Sequence, residues 1–278
     1  MTFASQTFGV VGLGQMAQAL LEPWIDDQLV SAASVRAVVA SEASSRRWER
    51  ATLAGQPLRV GTDPAPAWQA EVVLLSIKPQ HLEQAAREAG AVSAEGAVES
   101  SDRLLISILA GVRLDRLRRL FPTRTCVRAV VNTPAQVRSG LTALAWDPEP
   151  TPAQREWVER LFRQVGEVWA LPEGQLDAFL ALTASGPAFV ALVAEAMADG
   201  AVAAGLPRPL ALHLARGTLA GTAALLAGKD LHPAQLKDKV SSPAGTTMAG
   251  LRELERGGLR SALLEAVVAA AQRSRDLA

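Results

Sequence analysis

The stretch FGVVGLGQMA, residues 8–17, decides how the first half of this chain folds. Its apolar start predicts a buried β-strand, and a helix is predicted over residues 15–24. The residues between them fit the pattern G-x-G-x-x-G/A, in which Gly12 permits a tight turn, Gly14 leaves room for a pyrophosphate, and Ala17 lets helix and strand pack closely. Because a helix N-terminus also offers amide donors, the stretch predicts a dinucleotide site, with an ordinary glycine turn as the alternative.

Apolar runs alternate with helical stretches through the rest of the first half. Further strands are predicted at residues 35–40, 72–77, 104–109, 126–131, 141–146 and 167–171, and helices at 42–53 and 114–121. Near-continuous apolar strands separated by helices indicate a mostly parallel sheet that is covered on both faces.

The pattern changes near residue 172, after which we predict only helices. Their ranges are 175–183, 188–204, 207–226, 233–240, 247–255 and 260–275. The predicted fold class is therefore α/β, with a Rossmann-type dinucleotide-binding domain over residues 1–172 and an all-α dimerisation and substrate-binding domain over 173–278. The uncharged stretch 178–194 and the alanine-rich stretch 262–271 are hard to bury within a small domain, so we expect a homodimer or a higher homo-oligomer.

The composition excludes several classes of protein. Lys plus Arg and Asp plus Glu both number 28 among the 278 residues, so the basic excess of a nucleic-acid binder is missing. Hydrophobic residues make up 49%, which excludes a disordered chain. The stretch 178–194 is interrupted by Gly186-Pro187 and is shorter than the roughly 20 apolar residues of a membrane span. We expect neither a nucleic acid nor a membrane as partner.

Cysteine and histidine usage bears on compartment and metal binding. Cys126 is the only cysteine, which excludes an intrachain disulfide and suits a reducing compartment. With no targeting segment visible, the expected location is cytoplasmic. His81, His213 and His232 are scattered without metal-ligand spacing, so no metal site is expected.

The end of the second predicted strand bears on the choice of dinucleotide. Enzymes that use NAD usually carry Asp or Glu there to hold the ribose 2′-hydroxyl. Here the strand ends at Ser41, and two further serines with Arg46 and Arg47 follow shortly after. Hydroxyl and guanidinium groups suit a 2′-phosphate, so we favour NADPH. Glu42 lies one residue after the position at which enzymes that use NAD carry their acidic residue, so NADH stays possible.

Three later strands end in small or polar residues. Lys78 follows the third strand, Ala110 the fourth, and Asn132-Thr133-Pro134 the fifth. Ligands bind at the carboxyl ends of parallel strands, so these residues predict a rim for a nicotinamide and its ribose. A solvated strand end is the alternative at Lys78.

The second half contains the hydroxyl-rich segment SSPAGTT, residues 241–247, just before an apolar helical run. Hydroxyls and free amides at a helix start can bind an anion such as a carboxylate. Simple helix capping by serine or threonine is the alternative.

The ordered series of motifs resembles the pyrroline-5-carboxylate reductases nearly from end to end. The motifs are GLGQMA at 12–17, IKPQ at 77–80, SILAGV at 107–112, VRAVVNTPA at 127–135, SGPAFV at 185–190, ADGAVAAGLPRPLA at 198–211 and HPAQLKDKVSSPAGTTMAGLRELE at 232–255. The resemblance implies NAD(P)H-dependent reduction of 1-pyrroline-5-carboxylate to L-proline. It also implies a helical domain that interlocks with another subunit.

The resemblance implies a set of site residues as well. The pyrophosphate would lie on Gly12, Leu13, Gly14, Gln15 and Met16, the adenosine ribose by Ser41, the nicotinamide half by Lys78, Ala110, Asn132 and Pro134, and the substrate carboxylate on Ser242, Gly245, Thr246 and Thr247. Arg46 is added to the cofactor residues by its own chemistry, as a partner for the 2′-phosphate. A protonated cyclic imine is already an electrophile, so the reaction needs orientation of the substrate more than a strong base.

Three places depart from the pattern of the family, one of them at Val130-Val131, where relatives often have M-P before the asparagine. Relatives commonly carry a hydroxyl where this chain has Leu180, so Thr183 or water would have to serve the imine nitrogen. Thr183 and Thr247 are the candidate catalytic residues. The usual P-G-G is here Pro243-Ala244-Gly245.

Two alternatives to the function implied by the resemblance stay open: a reductase of another cyclic imine acid, and a nucleotide-binding relative with a regulatory role.

Overall fold

The computed structural model describes residues 6–94, 103–146 and 150–277. These residues form two compact units. The sheet unit takes in the described residues up to Ala184 and those from Ala271 onward, and the helical unit takes in Ser185–Ala270. The domain boundary expected after residue 172 stays a prediction.

The sheet unit contains an eight-stranded sheet in the order β10-β9-β8-β7-β6-β1-β2-β5, beside a small β3–β4 hairpin. The strands are β1 (Phe8–Val11), β2 (Val35–Val38), β3 (Thr52–Leu53), β4 (Gln56–Pro57), β5 (Arg59–Gly61), β6 (Val72–Leu75), β7 (Leu104–Ser107), β8 (Thr125–Val131), β9 (Gly140–Trp146) and β10 (Gly166–Ala170). Neighbouring strands of the sheet run parallel except β8 and β9, which are antiparallel. The mostly parallel α/β fold is thereby confirmed.

Helices cover both faces of this sheet. They are α1 (Gln15–Asp26), α2 (Glu42–Trp48), α3 (Ala65–Trp68), α4 (Leu82–Ala94), α5 (Leu114–Leu120), α6 (Pro152–Arg163) and α7 (Leu176–Thr183). On one face Trp24 packs edge-on against Phe162, with ring centroids 5.5 Å apart. On the other face Trp68 stacks on Phe121 at 5.4 Å. Because the central strands are buried on both sides, they appear in the sequence as continuous apolar runs.

Several parts of the sheet unit differ from the sequence-based expectation; besides the two described next, helices α3 and α4 and strand β5 were not predicted. The helix predicted over residues 42–53 ends at Trp48, and the β3–β4 hairpin follows. Ala54 and Gly55 both have positive φ angles, 52° and 70°, as two-residue hairpin turns require. Helix α6 was not predicted. Its start is marked by a capping box between Thr151 and Gln154, which the sequence contains.

The helical unit is built from α8 (Gly186–Ala203), α9 (Arg208–Gly228), α10 (Pro233–Lys239), α11 (Thr246–Arg256) and most of α12 (Leu259–Asp276). Helices α8 and α9 pack together through Ala198, Ala211 and Ala215. Gly205, with a φ of 107°, turns the chain between them. The helices predicted from sequence are confirmed here to within a few residues at each end.

Much apolar surface stays exposed on the described residues of the helical unit. The exposed fraction is 66% for Leu192, 58% for Leu264 and 52% for Val268. By length and composition alone, the stretches Glu173–Ala203 and Arg208–Gly228 are apolar enough to cross a membrane. The first of these includes α7, which packs on β8 and β9 in the sheet unit. The expectation of no membrane and no nucleic-acid partner stays a prediction.

Candidate active site

The turn between β1 and α1 forms a glycine cradle. Gly12 has a φ of 91°, and a Cβ there would lie 2.5 Å from the carbonyl oxygen of Ser76, so only glycine fits. Gly14 is the N-cap of α1, and no side chain caps the amides of the first turn. A Cβ on Gly14 would meet no protein atom within 4 Å. Gly14 borders an open pocket, so a side chain there would take up part of the space that a ligand needs.

That pocket has a volume of about 220 Å³ and lies between α1 and α2. The predicted residues Gly12, Leu13 and Gly14 line it, together with Gln18, Val39, Ala40, Ser44, Arg47 and Trp48. Gln15 and Met16 open α1 directly beside it. The cradle predicted from the sequence is therefore assembled at one place.

The sequence offers both Arg46 and Arg47 for a 2′-phosphate, with Arg46 named as the cofactor residue; the guanidinium group in the pocket wall belongs to Arg47. Ser44, Arg47 and Trp48 are spaced as i, i+3 and i+4, so they share one face of α2. Arg46 is exposed and lies outside the lining of this pocket, because one residue turns a helix by about 100°. The helical phase was a signal that could have separated the two arginines.

A second pocket, of about 340 Å³, shares Gly12, Val39 and Ala40 with the first. Its other lining residues are Val11, Val38, Thr62, Pro64, Ile77, His81, Gln84, Ala85 and Glu88. The apolar walls, with a few polar groups at the rim, suit a flat heteroaromatic ring such as adenine. The two pockets flank the glycine turn, with an arginine in the wall of the first. Together they fit a dinucleotide that carries a 2′-phosphate.

The residues at the start of α2 are engaged in local hydrogen bonds. The Ser41 hydroxyl oxygen accepts from the backbone N–H of Ser44 at 3.2 Å and caps the helix. The carboxylate of Glu42 accepts from the hydroxyl of Thr62 at 2.6 Å.

The predicted nicotinamide rim lies along the carboxyl ends of three parallel neighbours, β6, β7 and β8. Lys78 and Ala110 are exposed after β6 and β7, and Pro134 is half-buried in a 3-10 turn after β8. Asn132 is buried, and its side chain is used inside the protein. Its Oδ1 accepts from Leu141 N at 2.7 Å, and its Nδ2 donates to the carbonyl oxygen of Thr183 at 3.1 Å.

The hydroxyl of Thr183 also has a partner. Thr183 is 8% exposed, and its Oγ1 donates to the carbonyl oxygen of Phe179 at 2.7 Å. The hydroxyl proton therefore points into α7, which leaves the oxygen lone pairs as the group that Thr183 can offer. Leu180, on the same helix, packs against the apolar core.

A buried ion cluster was missed by the sequence reasoning. Arg128, 1% exposed on β8, places Nη1 3.1 Å from Glu173 Oε1 and Nη2 3.9 Å from Asp177 Oδ1. The same Glu173 oxygen accepts from Leu114 N at 2.6 Å, and the same Asp177 oxygen accepts from Ser274 Oγ at 2.7 Å. The cluster fixes the start of α7 on β8. An arginine inside the apolar run VRAVV was the signal in the sequence.

The carboxylate-binding segment predicted in the helical unit precedes α11. Gly245 is the N-cap of α11, and no side chain caps the amides of this helix start. Gly245 N donates to Ser242 O at 3.0 Å and closes a turn. Thr247 is half-buried, whereas Ser242 and Thr246 are exposed. Ala244 has a φ of 58°, in the left-handed region that favours glycine.

Among the described residues, no group of three or more His, Cys, Asp or Glu side chains is placed to hold a metal ion.

Two family models match the chain. The model of pyrroline-5-carboxylate reductase dimerisation matches residues 173–277, and the model of coenzyme F420-dependent NADP oxidoreductases matches residues 7–111. Among curated proteins, the chain is 42% identical to the pyrroline-5-carboxylate reductase of Synechocystis sp. over 97% of each chain. It is 37% identical to that of Pisum sativum, over 98% of this chain and 96% of the relative.

Solved structures show the same fold. A pyrroline-5-carboxylate reductase from Coxiella burnetii is 27% identical, with a TM-score of 0.84 over 99% of both chains. The pyrroline carboxylate reductase of Plasmodium falciparum, solved with NADP bound, has a TM-score of 0.85 over 99% of both chains at 23% identity.

Proposed function

This chain belongs to the pyrroline-5-carboxylate reductase family, and we propose that it reduces 1-pyrroline-5-carboxylate to L-proline with NADPH as hydride donor. The observation that carries the proposal is the glycine cradle with Arg47 in its wall, found in a chain similar to these reductases over 97% of its length.

The sheet unit would bind the cofactor, which supplies a hydride from its nicotinamide ring. The free amides at the start of α1 would hold the pyrophosphate, as at other helix N-termini next to a glycine turn. Arg47 and Ser44 would contact the 2′-phosphate, because a guanidinium pairs well with phosphate oxygens. The residues proposed for the nicotinamide half are Lys78, Ala110, Asn132 and Pro134.

The helical unit would recognise the carboxylate of the substrate. The sequence has no basic side chain between Ser241 and Thr247, so recognition would come from hydroxyls and oriented amides at the start of α11. The proposed contacts are Ser242, Gly245, Thr246 and Thr247. Fixing the carboxylate orients the ring, and orientation is the main requirement for hydride delivery to a protonated imine.

Thr183 would serve the ring nitrogen as an acceptor. Its hydroxyl proton is donated to Phe179, so the oxygen is free to accept from the N–H of a protonated imine. This role differs from that of a hydroxyl donor, which the family commonly carries at the position of Leu180.

We propose that the chain works as a cytoplasmic homodimer or higher homo-oligomer. Residues 173–277 match a dimerisation model, and the exposed leucines and valines of the helical unit would be covered by a second copy. A lipid environment suits these helices less well, because Arg208 and Arg216 lie on α9.

The test is a comparison of five- and six-membered cyclic imino acids as substrates for the purified enzyme with NADPH. We expect the highest kcat/KM with 1-pyrroline-5-carboxylate and proline as its product. A higher kcat/KM with the six-membered ring would favour a reductase of another cyclic imine acid. Binding of NADPH without reduction of any imine would favour the regulatory alternative.

A further inference from the structure

The Glu42 carboxylate is held by a side chain from the neighbouring strand. Glu42 is the first residue of α2, after β2, and Thr62 directly follows β5. Strands β2 and β5 are parallel neighbours, so both residues lie at the carboxyl edge of the sheet. The Thr62 hydroxyl donates to Glu42 Oε1 at 2.6 Å, within the range of a charge-assisted hydrogen bond.

This hydrogen bond lies beside the proposed cofactor pockets. Thr62 lines the larger pocket, and Ser44 and Arg47, on the same short helix as Glu42, line the smaller one. A carboxylate near this strand end is the group that binds a ribose 2′-hydroxyl in enzymes that use NAD. It would repel a 2′-phosphate.

We propose that Thr62 is a specificity-determining residue, which holds the Glu42 carboxylate at the end of β5 and thereby favours NADPH over NADH. This inference rests on the proposed function, because it concerns the cofactor of that reaction. With Glu42 bound to Thr62, Arg47 is the charged side chain in the wall of the smaller pocket. Without the Thr62 hydroxyl, Glu42 becomes free to accept from a ribose 2′-hydroxyl.

The test is equilibrium binding of NADPH and of NADH to the intact enzyme. Binding is measured through the fluorescence of the reduced nicotinamide. Thr62→Val keeps the size of the side chain and removes the hydroxyl. We expect the ratio of NADPH affinity to NADH affinity to fall by about three- to tenfold. In the double variant Thr62→Val/Glu42→Gln the ratio should return to that of the parent or exceed it, because the carboxylate charge is gone.

Ser45→Ala is the matched control. Ser45 Oγ donates to Val60 O at 3.1 Å, so this variant also removes a side-chain hydrogen bond between α2 and β5 but leaves Glu42 and Thr62 in place. Its affinity ratio should equal that of the parent. An unchanged ratio in Thr62→Val, or an equal fall in Ser45→Ala, would overturn the proposal.

The reductase assay of the parent enzyme is read separately from these titrations. If the parent turns over 1-pyrroline-5-carboxylate but the ratio of NADPH affinity to NADH affinity is unchanged in Thr62→Val, only the role of Thr62 is rejected. Absence of turnover with either cofactor would reject the proposed function itself.

Discussion

Asn132 and Thr183 are joined by a hydrogen bond from the side-chain amide of Asn132 to the carbonyl oxygen of Thr183, 3.1 Å long. It ties the last residue of α7 to the end of β8. At the other end of α7, Asp177 lies 3.9 Å from the buried guanidinium of Arg128, also on β8. Helix α7 is thus held at both ends by one strand of the sheet, so its position depends on these two side chains.

Asn132→Ala should destabilise the sheet unit. The change leaves the backbone N–H of Leu141 and the carbonyl oxygen of Thr183 without their partner, and each buried unpaired group costs about 1–3 kcal/mol. We expect a lower free energy of unfolding in urea. Thr133→Ala, at the exposed neighbouring position, is the control and should unfold like the parent. Equal stability of the Asn132→Ala and Thr133→Ala variants would contradict the role of Asn132.

The architecture could be predicted from the sequence where burial is uniform. The strands β1, β6 and β7 are buried along their whole length, so their apolar runs define them. The β3–β4 hairpin could not be separated from the preceding helix by apolar periodicity, because its turn depends on the positive φ angles of Ala54 and Gly55.

Contacts between side chains that are far apart in the chain could not be predicted from the sequence. Arg128 meets Glu173 and Asp177 only after the sheet has formed, and Ser274 joins them from the end of the chain. Asn132 was predicted as a cofactor residue, and no spacing rule indicated its bonds to Leu141 and Thr183. By contrast, the choice of Arg47 over Arg46 follows from the helical phase of α2 and could have been made from the sequence.

Arg47→Ala should weaken the binding of NADPH and leave that of NADH nearly unchanged. A hydrogen bond to a charged group contributes about 1.5–3 kcal/mol, which corresponds to roughly 10- to 100-fold in the dissociation constant for NADPH. Arg46→Ala is the matched control, because Arg46 is exposed and lies outside the lining of the pocket. Calorimetric titration measures both constants. A larger loss in Arg46→Ala than in Arg47→Ala would instead identify Arg46 as the phosphate contact.

Ala244→Gly should stabilise the segment before α11. Ala244 has a φ of 58°, and glycine adopts this left-handed conformation without the steric cost of a Cβ. We expect a gain of about 0.5–1 kcal/mol, measured as a higher midpoint of thermal unfolding. Ala249→Gly, inside α11, should lower that midpoint, because glycine is unfavourable within a helix. A lower midpoint in both variants would show that position 244 does not favour glycine.

Thr247→Ala should lower the use of the imine acid without affecting the cofactor. Loss of one hydrogen bond to the carboxylate predicts a fall in kcat/KM for 1-pyrroline-5-carboxylate of roughly one to two orders of magnitude. The dissociation constant for NADPH should be unchanged, because the glycine cradle lies in the sheet unit. Ser241→Ala is the control, since its hydroxyl donates to Lys237 O. A normal kcat/KM in Thr247→Ala would contradict carboxylate binding at this residue.

The most direct test of the proposed reaction is to measure NADPH oxidation and proline formation together on addition of 1-pyrroline-5-carboxylate. We expect the parent enzyme to form L-proline mole for mole with the NADPH consumed. We expect Gly14→Val, whose side chain would enter the pyrophosphate pocket, to bind NADPH poorly and to form little proline. NADPH binding by the parent without proline formation, or full activity of Gly14→Val, would contradict the proposed function.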